Sequence, residues 1–174
     1  MKKYCSENAS SADNQQERLE IIAWIVGFTD GEGCFSVSII KNKTSKLGWQ
    51  VFPEFVVTQG EKSLDALTLL KDYFGCGKIF KNNRNDNHNE NLLRFCIRSV
   101  NDLNEKIIPF FKNNPLKTAK RNDFEIFAEI IDMMTKKEHL SIKGMKKIAK
   151  KIELMNRKKQ SRFLESSETI RQAH

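Results

Sequence analysis

The stretch Ala23-Trp24-Ile25-Val26-Gly27-Phe28-Thr29-Asp30-Gly31-Glu32-Gly33 decides the fold. From Leu19 to Thr29 the chain is apolar almost all round, which predicts a helix buried on every side. Ala23, Gly27 and Gly31 stand four residues apart, so they share one face as a flat strip that lets another helix approach closely. The two glycines of Asp30-Gly31-Glu32-Gly33 are expected to end the helix. Asp30 and Glu32 then lie at a helix C-terminus, where the negative end of the dipole disfavours each acid by ~0.3–1 kcal/mol. A hard divalent cation such as Mg²⁺, held by carboxylate, backbone carbonyl and water, would offset that cost. The same Asp-Gly and Glu-Gly pairs also serve as plain turn residues after a core helix.

Downstream of this stretch the period changes. Phe35, Val37 and Ile39 alternate with Ser36 and Ser38 in Cys34–Ile40, the pattern of a strand with one greasy and one polar face. Residues 42–48 read as a loop and Trp49–Gln59 as a second strand. Lys62–Phe74 is an amphipathic helix with Ser63 as its cap, ended by Gly75 and Gly77. Lys78–Lys81 and Leu92–Arg98 form another strand pair around the polar tip of residues 82–91, where His88 reads as loop. Three helices follow, Val100–Lys112, Leu116–Met134 and Ser141–Asn156, the last with Ile142, Met145, Ile148, Ile152 and Met155 on one stripe. The order predicts an α+β fold, an antiparallel sheet backed by helices, whose polar strand faces are left for water or a duplex.

The 174 residues carry 30 Lys+Arg against 22 Asp+Glu, a net charge of +8. Residues 136–162 hold eleven of those cations and two acids, a local net of +9, so the rest of the chain stands at −1. Such a concentrated basic segment suits a polyanion, nucleic acid above all, or is a solvated lysine-rich helix. Cys5, Cys34, Cys76 and Cys96 are scattered, with no Cys-x-x-Cys pair and no histidine near them in sequence. That argues against a zinc site or a disulfide framework and for reduced thiols in an intracellular compartment. Residues 1–16 resemble neither a secretory signal nor a transit peptide and read as a flexible lead-in. A single domain is expected over 17–160, then a tail, 161–174, whose order the sequence leaves open. No apolar run approaches the ~20 residues that a membrane span needs.

Trp24–Gly33, WIVGFTDGEG, resembles the signature of the LAGLIDADG homing endonucleases. The resemblance continues through Val57-Thr58-Gln59, Gly75-Cys76-Gly77-Lys78-Ile79, Pro115-Leu116-Lys117-Thr118-Ala119-Lys120, Lys137-Glu138-His139-Leu140 and Met155-Asn156, so it covers Leu19 to Asn156. It implies an αββαββα core in which two units pack through their signature helices and lay saddle-shaped sheets along the DNA major groove. One motif is present, which implies a homodimer on a long pseudo-palindromic target. The implied activity is site-specific double-strand cleavage of the intron-homing type, with Mg²⁺ or another divalent ion such as Mn²⁺. A non-cleaving RNA maturase or DNA-binding regulator on the same scaffold is the alternative. The implied compartment is cytoplasm or nucleoid, or an organelle matrix if the gene is organellar.

Carried over residue by residue, the resemblance makes Glu32 the metal-binding acid and Gly31 a carbonyl ligand. Gln59 would position water, and Lys120, with Lys117 a weaker candidate, would support the charge of the site. Asp30 would brace the helix end at the dimer interface with Ala23 and Gly27. Ser63 departs from members that carry a basic residue there. For DNA readout the strand parity and residue types nominate Ser36, Ser38, Ile40, Asn42, Lys46, Gln50, Lys78, Asn82, Arg84 and Arg94. The basic helix Ser141–Lys159 would contact phosphates or brace the sheet.

Overall fold

The computed structural model describes residues 6–82, 91–155 and 163–164; the side chains of residues 6–13 and 82, and with them Arg84 and His88, lie outside that description. Helix α1 runs Ser6–Glu32, β1 Gly33–Lys41, β2 Trp49–Gly60, α2 Leu64–Phe74, β3 Lys78–Asn82 and β4 Leu92–Ile97. Then come α3 (Val100–Asp102), a π-helical turn Leu103–Ile107, α4 (Ile108–Asn113), α5 (Lys120–Thr135) and α6 (Ile142–Leu154). The sheet is wholly antiparallel, in the order β1-β2-β4-β3. The α+β class and the strand boundaries follow the sequence pattern to within about a residue or two.

Strand parity separates two faces. Phe35, Val37, Val51, Phe55, Val57, Leu93, Phe95 and Ile97 point toward the helices and are buried. Phe35 is the hub of that core, its ring within 5.1–5.4 Å of Phe55, Phe111, Phe124 and Phe127. Ser36, Ser38, Ile40, Gln50, Phe52, Glu54, Thr58, Lys78, Phe80 and Arg94 have the opposite parity and line the uncovered face. Pro53 has no N–H to give to a neighbouring strand, yet it lies in an interior strand. It is accommodated because the β2–β4 ladder reaches only to Phe55, which leaves that side of Pro53 without a strand to bond.

Several sequence expectations need correction. Gly31 does not break α1, which continues through Asp30-Gly31-Glu32 and gives way to strand at Gly33, and the helix starts at Ser6, inside the expected lead-in. Nor is it buried all round. Ile25 and Thr29 are fully buried, but Leu19 is 54% and Trp24 37% exposed. Ser63 occupies the start of α2 without a side-chain capping bond. Residues 116–119 are not helical: the N–H groups of Lys117 and Thr118 bond Asp30 instead, and α5 begins only at Lys120. The π turn precedes Pro109, whose missing N–H cannot continue the regular ladder. In α6, Ser141 does cap, accepting from Gly144 N at 3.0 Å, while Ile142 is 59% exposed and off the buried stripe.

Candidate active site and nucleic-acid interface

The end of α1 meets the start of β1 with no intervening residue. That join depends on Gly33, where a Cβ would lie 2.6 Å from Thr29 Cγ2 and 2.8 Å from Thr29 O. Only a residue without a side chain lets the chain turn there from helix into strand. Glu32 is thereby left exposed at the corner, with no side-chain hydrogen bond or ion pair among the described residues.

Two other side chains consolidate the corner. A helix C-terminus leaves four carbonyls without intrahelical partners. Lys120, from the first turn of α5, takes three of them: Nζ donates to Thr29 O at 2.9 Å, Asp30 O at 3.0 Å and Gly31 O at 3.4 Å. The cation that the misplaced acids require is therefore present in the protein itself. Asp30 reaches the other way. Its carboxylate accepts from Lys117 N at 2.7 Å, Thr118 N at 3.3 Å and Thr118 Oγ1 at 2.8 Å. Burial raises the Asp30 pKa, but the bonds from Lys117 and Thr118 and the Lys120 charge outweigh it and hold the carboxyl below its ordinary value. Asp30 thus braces the chain before α5, and Lys117 contributes its backbone N–H to that brace.

Gln59 continues β2 two residues beyond the Gly33–Val57 pair, level with the end of α1 and with the parity of the helix-covered face. Ala23, Gly27 and Gly31 lie on the side of α1 opposite Ile21, Ile25 and Thr29, and are exposed. A Cβ built at Gly27 or Gly31 meets nothing within 4 Å. The strip is bare, and Trp24, stacked on Phe28 at 4.8 Å between centroids, stands beside it.

Among the described residues no three His, Cys, Asp or Glu side chains converge. The available donors here, the Glu32 carboxylate, the Gly31 carbonyl and the Gln59 amide, are all oxygen, the ligand type of Mg²⁺. The donor set fits such an ion in kind.

On the uncovered face Ser36 and Ser38 are half-buried and Ile40, Gln50 and Lys78 are exposed; Lys46, in the loop between β1 and β2, is exposed as well. Asn42 is largely committed to its own turn. Its Nδ2 donates to Gln50 Oε1 at 2.8 Å, and its Oδ1 accepts from Thr44 N at 3.0 Å and Thr44 Oγ1 at 2.7 Å. Asn82 ends β3, with its side chain outside the description, as is all of Arg84. Arg94 is not a lone cation: its Nη2 donates to Glu54 Oε2 at 3.0 Å. The sequence reading missed Glu54 and Arg98, although the alternation of β2 and of residues 94, 96 and 98 places both on this face.

Residues 25–131 match the family described as LAGLIDADG endonuclease. A probable intron-encoded endonuclease of Neurospora crassa is 35% identical over 127 residues, 72% of this chain and 27% of that protein. The chain spans about a quarter of the length of the Neurospora crassa relatives it matches. The crystal structure of the homing endonuclease I-TnaI superposes with a TM-score of 0.75 at 38% identity, covering 86% of this chain and 97% of that one. Meganuclease I-SmaMI, bound to uncleaveable DNA, gives 0.72 at 29% identity, covering 78% of this chain and 45% of that one. The residues that build the α1–β1 corner lie inside the matched segment, and the chain belongs to the LAGLIDADG endonuclease family.

Proposed function

We propose that the chain cleaves double-stranded DNA at a specific site, with two units meeting along α1 and a divalent cation bound where their Glu32 side chains converge. One observation carries this reading: the bare strip of Ala23, Gly27 and Gly31 leads directly to an exposed carboxylate that has no partner among the described residues. An apolar helix face with Leu19 and Trp24 in water is disfavoured until something covers it, and a strip of small residues favours a second helix. Pairing two copies brings the two carboxylates together across the axis. Relatives and structural neighbours named as endonucleases favour cleavage over an RNA maturase or a DNA-binding regulator.

A bound Mg²⁺ or Mn²⁺ supplies Lewis-acid stabilisation of charge on the scissile phosphate and its leaving oxygen. Glu32 and the Gly31 carbonyl would hold it. The Gln59 amide orients water toward phosphorus by hydrogen bonding. Lys120 fixes the Gly31 carbonyl in place and adds positive potential where phosphate charge grows. The uncovered sheet face lies along the major groove, with Ser36, Ser38, Ile40, Gln50, Lys46, Lys78 and Arg94 offered to base edges and phosphates. Lysines of α6 add salt-dependent attraction to the backbone. The chain would act in whichever compartment holds its target DNA; among the described residues no helix is long and apolar enough to cross a membrane.

The test is a duplex library incubated with the chain and Mg²⁺, compared between wild type and Glu32→Gln. The variant is expected to bind the selected duplex as wild type does and to leave it uncut. Equal cutting by both removes Glu32 from the chemistry, and no cutting by wild type in any divalent ion favours the binder reading.

A further inference from the structure

A carboxylate lies near the middle of the face proposed to meet DNA, which is an unfavourable location for a negative charge beside phosphates. Glu54 is only 7% exposed, and it is clamped by two arginines. Arg98 donates to Oε1 from Nε at 2.9 Å and from Nη2 at 2.8 Å. Arg94 donates to Oε2 from Nη2 at 3.0 Å. The register explains the geometry. Phe55 pairs with Ile97, so Glu54 lies opposite Arg98, while Arg94 lies opposite Thr58 and leans back along β4 to reach the same carboxylate. The guanidinium of Arg98 is also held from the sides, 5.2 Å from the Phe52 ring centroid and 5.4 Å from that of Phe80. Cys96 has the parity of the open face yet is 3% exposed, and burial first, then the Glu54 charge, pushes its thiol up to about 11. The cluster is therefore packed down on the sheet and not waving in solvent.

Arg98 uses its Nε–Nη2 edge on Glu54. The other edge, Nη1 with the outer hydrogen of Nη2, forms no hydrogen bond among the described residues, and the side chain remains 41% exposed. Arg94 spends one Nη2 hydrogen on Glu54, so its second Nη2 hydrogen together with either Nε–H or Nη1 leaves it one two-donor edge, and it is 39% exposed. Two free N–H groups on one planar edge match the O6 and N7 acceptors of guanine, and fixing the guanidinium beforehand removes the cost of ordering it on binding.

We propose that Glu54 is a specificity-determining positioning residue that holds Arg98 and Arg94 as a preformed guanine-reading pair on the sheet. This rests on the DNA-binding reading above. Glu54 lowers attraction to DNA in general, because it cancels one of two positive charges, and raises discrimination between base pairs. The two effects have opposite signs, which a purely structural ion pair does not predict.

The full chain is used to select bound duplexes from a random library in Ca²⁺, with wild type, Glu54→Gln and Arg98→Lys in parallel. Wild type is expected to select guanine at one or two adjacent positions of each half-site. Both variants lose that preference by roughly tenfold or more, the value of a bidentate arginine–guanine contact. Preferences elsewhere in the site stay as they were, and Glu54→Gln binds unrelated duplex at least as tightly as wild type. Arg98→Lys keeps the charge and the pairing with Glu54, so it separates lost readout from lost folding. Unchanged guanine preference in both variants, no guanine in the half-site, or an even loss across all positions overturns the proposal. Failure of wild type to select any duplex sequence instead overturns the DNA-binding reading, and this inference with it.

Discussion

Replacing Asp30 by Ala removes the α1 side chain that hydrogen-bonds the loop before α5. Three donors lose their acceptor at once: Lys117 N, Thr118 N and Thr118 Oγ1. At ~1.5–3 kcal/mol for each bond to a charged group, a simple sum exceeds 4 kcal/mol. That sum is too large, because Asp30 is half-buried and water can replace it at exposed amides. The better reference is a bond of the N-cap kind: Ala119 at the start of α5 offers no side-chain cap, Thr118 Oγ1 accepts from Lys120 N at 3.3 Å, and Asp30 fixes Thr118 from another helix. The expected loss is therefore ~1–2 kcal/mol.

The pH dependence gives a sharper check. The folded-state pKa of Asp30 lies below its unfolded value, so the ionised carboxylate is stabilised by folding. That stabilisation is fully present above the ordinary carboxylate range and is lost as pH falls through the unfolded pKa toward the folded one. Urea unfolding of wild type and Asp30→Asn should differ most at pH 6–7, and the gap should narrow steadily below about pH 4. A gap that stays constant down to acid pH, or widens, refutes the assignment of the ionised carboxylate as the brace.

Three further outcomes are expected. Gly27→Leu fills the bare strip of α1 and should shift sedimentation of the chain on its DNA from dimer toward monomer, while its circular dichroism is unchanged. Lys120→Met, which leaves the carbonyls of Thr29, Asp30 and Gly31 without their cation, should lower stability by ~1–2 kcal/mol in thermal or urea melts and reduce cleavage beyond what that loss explains. Gly33→Ala forces a methyl into Thr29 and should cost ~1–3 kcal/mol in the same melts, with a smaller penalty in the double variant that also carries Thr29→Ser.

Strand parity was legible because one face is buried and the other is not; Phe35-Ser36-Val37-Ser38 can pair in only one sense. The same alternation contained Glu54, but an acid among Phe52, Phe55 and Val57 carries no local sign that its partners lie 40 and 44 residues away. The corner was half legible. Two acids at a helix end announce a need for positive charge, yet the sequence cannot say which cation answers it. Lys120 is about 90 residues distant from the carbonyls it caps, and only the fold brings them together. The helix end was misjudged for a related reason. Gly31 is a breaker by propensity at ~1 kcal/mol, and three hydrogen bonds from one lysine are enough to keep the last turn helical.

That substitution of lysine for an external ion changes how a cation requirement should be interpreted. If Lys120 already neutralises the end of α1, folding does not need a divalent ion, and Glu32 is left without a partner among the described residues of the folded chain. The ion then has a function only once two carboxylates and a phosphate are present together. Chelation should therefore leave the melting curve of the free chain unchanged and abolish cutting. A large drop in the melting temperature of the free chain on adding EDTA would mean that Lys120 does not meet the electrostatic need of the corner, and the division of labour between Lys120 and Glu32 would fail.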